Sequence, residues 1–202
     1  MANTETATAV DSKQLNCSGF FKIWRVNKET GNRELLVDKK NMILYGGADL
    51  MAQALAGVRY AKISHMYIGY KTTASLGAFT PPTIDKEYSN QFSDYNTTGL
   101  EDLGYLRLPL AFTPTYLAST NYENNTVVFT AVVSSSAEAQ GGAIFADSGE
   151  AAPSHIFEVA LVAALDPTGS GQDKIFSRAN FDPIVFDSNY NLTISWGVQF
   201  LA

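Results

Sequence analysis

From Leu192 to Phe200 the chain alternates between large apolar residues (Leu192, Ile194, Trp196, Val198, Phe200) and small or polar ones (Thr193, Ser195, Gly197, Gln199). A period of two puts each set on its own face of a β-strand and is the wrong repeat for a helix. The apolar face must then be covered by a second layer, so the chain is committed to stacked sheets or a sheet under a helix. Ile184-Val185-Phe186 reads as a strand just before it, with Asp187-Ser188-Asn189-Tyr190-Asn191 as the turn between. The alternation runs almost to the last residue, and we expect no tail beyond the sheet.

The rest of the chain follows the same grammar. Phe20 to Val26 and Arg33 to Val37 flank an Asn- and Gly-rich turn and predict a hairpin over residues 20–37. Further strands are predicted at His65–Tyr70, Tyr105–Phe112, Thr126–Val133, His155–Ala164 and Ile175–Asn180. Pro109 inside one of them suits an edge or a bulge. One helix is predicted, Ala48 to Ala56. It is made of good helix formers, with an apolar stripe at Leu50/Ala54 and Met51/Leu55 and Gly57 as its C-terminal stop. Gly46-Gly47 lacks the spacing of a phosphate-cradling loop and reads as a tight turn into this helix, which covers one end of a sandwich. The expected fold is mainly β: an antiparallel β-sandwich, jelly-roll-like, with one short helix. We expect residues 1–14 to be a flexible or docking arm on a single domain spanning 15–202.

Residues 71–104 read as a long loop carrying Pro81-Pro82. A connection of that length is usually a binding excursion. Its aromatics Phe79, Tyr88, Phe92 and Tyr95 are the candidate interface, anchoring the loop on the domain or on a neighbour.

Charge narrows the function classes. Only 17% of the 202 residues are charged, below the roughly 25% usual in soluble domains, and the net charge is −6. The low charge suits a surface partly covered by partners, and the negative balance argues against direct nucleic-acid binding. Lys39-Lys40 is the one basic pair and reads as a solvated loop. Cys17 is the single cysteine, which leaves no internal disulfide and no cysteine-based zinc cluster. The first ten residues lack the features of a signal peptide, and no apolar run approaches a membrane span, so no membrane partner is expected.

Catalytic signals are sparse. Glu150 with Glu158, or Asp85 with Glu87, would be the carboxylate pairs for glycoside hydrolysis, but nothing in the sequence brings either pair together. His65 and His155 would need a carboxylate and mutual proximity to hold a metal. Neither lies in a serine-hydrolase context. Asp94, Asn96 and Asp102 lack the spacing of a calcium loop. We expect no catalytic residues, no cofactor and no metal.

Several segments, taken in order, resemble those of a broad group of tailed-bacteriophage virion proteins. Gly19–Val26 is followed by Lys40-Asn41-Met42-Ile43-Leu44-Tyr45-Gly46-Gly47-Ala48-Asp49-Leu50, similar to that group's N-L-I-T-N-x-G-x-x-x-L. His65–Tyr70 is similar to I-x-x-I-x-x-G, Val128–Ala131 to V-T-F-T-A, Ile156–Leu161 to I-x-E-A-G-L and Leu192–Phe200 to L-x-I-x-W-x-I-x-F. The chain departs from the pattern at Val159-Ala160 and in the length of the 71–104 loop. The resemblance implies a non-enzymatic structural component of a tail, a collar or a capsid surface. Its expected partners are other virion proteins and copies of itself, assembled in a bacterial host's cytoplasm. A carbohydrate-binding sandwich for host attachment is the alternative. That reading would use a host glycan partner and an aromatic platform drawn from Tyr88, Tyr95, Tyr116 and Tyr122.

Overall fold

The computed structural model describes residues 16–57, 62–71, 103–110, 114–117, 124–134, 143–144, 155–163, 174–187 and 189–201. The predicted C-terminal strand is β10 (Tyr190–Leu201), and it is the centre of one sheet. It pairs antiparallel with β1 (Asn16–Asn27) on one side and β6 (Asn124–Ser134) on the other. The predicted hairpin joins β1 to β2 (Arg33–Ile43). Its turn is built by Asn27, whose side-chain Oδ1 accepts from the backbone N–H of Glu29 at 2.9 Å and of Thr30 at 2.8 Å. Gly31, at φ 70°, supplies the left-handed residue.

A second sheet is formed by β3 (Ile63–Lys71), β4 (Leu103–Pro109), β8 (His155–Ala163) and β9 (Lys174–Val185). The two sheets share β2. Its residues 33–41 pair with β1, whereas Met42 and Ile43 pair with Arg178 and Ser177 of β9. The strand order is therefore continuous, β4-β3-β8-β9-β2-β1-β10-β6-β5, with the three-residue β5 (Thr115–Leu117) at the far edge. A two-residue β7 (Ala143–Ile144) adds a parallel pairing to β6, and the other described pairings are antiparallel.

The sheets pack face to face. Phe21 of β1 stacks on Trp196 of β10 at 5.3 Å between centroids and meets Phe181 of the opposite sheet at 5.8 Å. Side chains from both sheets join one buried cluster around these rings, including Ile23, Ile194, Met66, Ile68, Val159 and Leu161. The outward faces differ. In the β1–β10 sheet, Phe20 lays its ring over the bare backbone of Gly197, where a Cβ would lie 2.2 Å from the ring. In the other sheet β8 is buried along its whole length, on both faces. A continuous apolar run marks such a strand.

Two expected elements are one. Ile175–Asn180 and Ile184–Phe186 were read as separate strands, and β9 runs through both. Pro183, between the two segments, falls in a bulge. Glu158 pairs with Asn180 and Ile156 with Ile184, so the bulged residues of β9 face a single residue of β8. A bulge tolerates the missing N–H of proline. Pro109 ends β4, an edge strand, in line with its reading. Lys39 and Lys40 correct another expectation: both are exposed side chains of β2 itself, not of a loop. Arm residues 1–14 and loop residues 72–102 lie outside the described residues.

The helix α1 (Tyr45–Leu55) begins three residues earlier than its composition suggested. Leu44 has no capping side chain. Its own N–H donates to the Phe176 carbonyl at 3.1 Å, and its carbonyl accepts from Gly47 and Ala48. Gly57 closes the other end at φ 76°, its N–H donating to the Ala54 carbonyl at 3.1 Å. Gly47 sets how close α1 comes to β9, because a Cβ there would lie 2.2 Å from the Phe176 carbonyl oxygen. Backbone cannot swing aside as a side chain can. Gly47→Ala is expected to destabilise the fold by about 1–3 kcal/mol, as overpacking does, although alanine is the better helix former. Urea denaturation of the variant beside Ala48→Gly, an exposed control on the same helix, checks this.

Candidate functional site

Close contact between α1 and β9 leaves α1 astride one end of the sandwich, and an apolar cleft of about 270 Å³ opens beneath it. Leu50, Met51 and Ala54 form its roof, the predicted apolar stripe of the helix without Leu55. Its floor comes from both sheets. Val127 and Phe129 of β6 with Val198 and Phe200 of β10 lie on one side, and Ile63, Ala163 and Phe176 on the other. The β10 residues are there because of the strand's alternation, which turns its even-numbered residues inward. Lys62 is the charged residue of the lining, and Pro114, in the approach to β5, completes it.

The helix is fixed over the cleft at two places. Asp49 makes an ion pair with Lys174 of β9 and accepts from Gln53 Nε2 at 2.8 Å. The Lys174 ammonium holds the Asp49 carboxyl below its usual range. Both groups are well solvated, so the pair orients the helix more than it stabilises it. On the inner side, Cys17 of β1 puts its Sγ 3.9 Å from Met51 Sδ.

Large apolar side chains stand exposed on α1 and β5. Leu55 at the end of α1 is 89% exposed, Tyr116 of β5 59% and Leu117 52%. Tyr116 pairs with Val127, and directly opposed residues share a face, so Tyr116 lies on the cleft's side of the sheet. β5 itself is a sheet edge with all three residues exposed.

The other sequence-derived candidates fall elsewhere. Glu158 is fully buried and paired in the interior with Arg178 of β9, also buried. No substrate reaches a carboxylate there. Its suggested partner Glu150 lies outside the described residues, as do Asp85, Glu87, Asp94, Asn96 and Asp102. His65 and His155 sit on neighbouring strands but at opposite ends, since His65 pairs with Val162 and His155 with Lys71. At about 3.3 Å per residue that is roughly 20 Å. Among the described residues no three His, Cys, Asp or Glu side chains gather as a metal site would require. The interface aromatics Phe79, Tyr88, Phe92 and Tyr95 lie outside the described residues. So does Tyr122, which leaves Tyr116 as the described member of the glycan platform. The chain matches no family model, no curated protein and no solved structure.

Two measurements test this description. Burial pushes the Cys17 thiol up from its ordinary value. Alkylation of the native protein at pH 8 is expected to run well below the rate for denatured chain, and to climb as pH rises past the range of a free thiol. The Glu158–Arg178 pair has a sharper signature. Glu158→Gln or Arg178→Met alone is expected to cost about 3–5 kcal/mol, because each strands a buried charge. Glu158→Leu with Arg178→Met together should recover most of that loss in chemical denaturation.

Proposed function

We propose that this chain is a non-enzymatic structural subunit of a tailed-phage virion, attached at the tail, the collar or the capsid surface and working by protein–protein assembly. The observation that carries the reading is the open end of the sandwich. There β5 is the last strand of the described order, Tyr116 and Leu117 are exposed, and an apolar cleft lies on the Tyr116 side of the sheet. Edge strands left uncovered are templates for pairing with another chain, and exposed aromatic and aliphatic side chains beside them supply buried area. A low-charge surface fits the same use. The resemblance to phage virion proteins supports it too; its matching segments fall in β1, β3, β6, β8 and β10 and in the passage from β2 into α1.

In this reading the end strand of a neighbouring subunit, or of a virion partner, adds to β5 and buries Tyr116 and Leu117. Light scattering of the full-length protein is expected to show a defined oligomer, or co-sedimentation with particles where a template is needed. Tyr116→Lys with Leu117→Lys should abolish that association with little change in melting temperature, because both side chains already face solvent. Association unaffected by the double substitution would overturn the role of this edge.

A further inference from the structure

Apart from Lys62, every side chain lining the cleft under α1 is apolar. The floor strands commit their backbone groups to one another. Val127, Phe129, Val198 and Phe200 belong to the β6–β10 ladder, and Ile63 and Ala163 to the β3–β8 ladder. The polar groups of an occupant would lose water there without gaining new partners. This argues against a sugar or a nucleotide. It argues equally against a peptide, whose own N–H and C=O groups need partners. A hydrocarbon chain brings no such groups.

The exception in the lining gives the ligand its other end. Lys62 is exposed and stands just before β3. Among the described residues it makes no ion pair or hydrogen bond, and none of the lining residues is acidic. Lysine carries a point charge on a flexible apolar stem, which can lie along an apolar surface while the charge stays in water. The cleft therefore pairs an apolar volume with one positive charge, the complement of a single negative charge on an apolar body. Volume sets the size of that body. An apolar cavity of about 150 Å³ holds benzene, roughly 25 Å³ per carbon. On that ratio the cleft's volume of about 270 Å³ takes about ten carbons, one short chain and not the two of a membrane lipid. Met51 in the roof is half-buried and unbranched, and it can adapt to such a chain.

We propose that the cleft binds a medium-chain aliphatic carboxylate of about eight to ten carbons, with its chain between α1 and the two sheets and its carboxylate paired with Lys62. The site goes beyond the assembly reading and can fail separately from it, because Tyr116 and Leu117 do not line the cleft.

Calorimetric titration of the full-length protein with hexanoate, octanoate, decanoate and dodecanoate, each below its micelle concentration, tests it. Affinity is expected to rise about threefold to fourfold per methylene as far as decanoate, then to level off as the cleft fills. Ala54→Phe places a ring in the lining from an exposed position of α1. It is expected to weaken decanoate by about tenfold, and Ala54→Leu, a smaller intrusion, by less. Lys62→Gln should weaken decanoate by about fivefold, the upper range for an exposed ion pair, and leave decanol unchanged. Decyltrimethylammonium, the same chain with the opposite charge, should bind native protein more weakly than decanol. Melting curves of each variant confirm that it is folded. No binding of decanoate, affinity rising undiminished to dodecanoate, or decanoate affinity unchanged by the Ala54 substitutions in folded protein would overturn the site. Equal affinity for decanoate and decyltrimethylammonium, or no effect of Lys62→Gln, would overturn the assignment of its ligand as a carboxylate.

Discussion

The contact of Phe21 with Trp196 on its own sheet and Phe181 on the other is the interaction around which the two layers are organised. Aromatic pairs in offset or tilted geometry contribute about 0.5–1.5 kcal/mol beyond the area they bury. Here they also fix which faces meet. Once Phe21 and Trp196 point inward, the period of two turns Ile23, Ile194 and Val198 inward as well, and a slip of one residue would expose them all. The Trp196 indole N–H is buried without an acceptor among the described residues. Its desolvation, on the order of 1–3 kcal/mol, is offset by the large apolar area of the same ring.

β2 supplies the second constraint. By pairing with β1 and then with β9, it forces the two sheets into one continuous order and delivers the chain to α1 at the junction between them. The helix has no side-chain cap and no acidic residue in its first turn. It is held by packing against β9, where Gly47 permits contact with backbone. A helix fixed by proximity to one sheet cannot also fill the space before the other, and the cleft is the remainder. Fold and site thus share a cause.

The sequence was most legible where a strand has one wet face and one dry face. The alternation of β10, the Asn- and Gly-rich turn before Arg33, and the apolar stripe before Gly57 each appear in their expected places. It was least legible where tertiary pairing overrides local pattern. Ile175–Asn180 and Ile184–Phe186 read as separate strands because the bulge that joins them exists only opposite Phe157 of β8. The end of β2 was missed because Lys39 and Lys40 read as a loop, though both are exposed residues of the strand itself. Arg178 carries no local sign of burial, since its carboxylate partner is twenty residues away on another strand. β5 and β7 are too short to show a period at all. The roof of the cleft was visible as a helix stripe, but its floor was not, because it draws on both sheets at once.

Burial is distributed unevenly along the strand order, and that distribution bears on function. β8, next to the centre of its sheet, is buried on both faces and carries Glu158, whose pairing with Arg178 of β9 penalises any change to one partner alone. β5, at the far end, is three residues long and wholly exposed. A monomer that needed nothing further would gain by burying Tyr116 and Leu117 or by replacing them with charge, the usual protection of a sheet edge. Instead, the charge-poor edge shares a sheet with the floor of an apolar cleft, and Leu55 stands exposed at the end of the helix that roofs it. Each of these would be a liability in isolation. Covering that edge with another segment of chain is what the proposed assembly role would require of it.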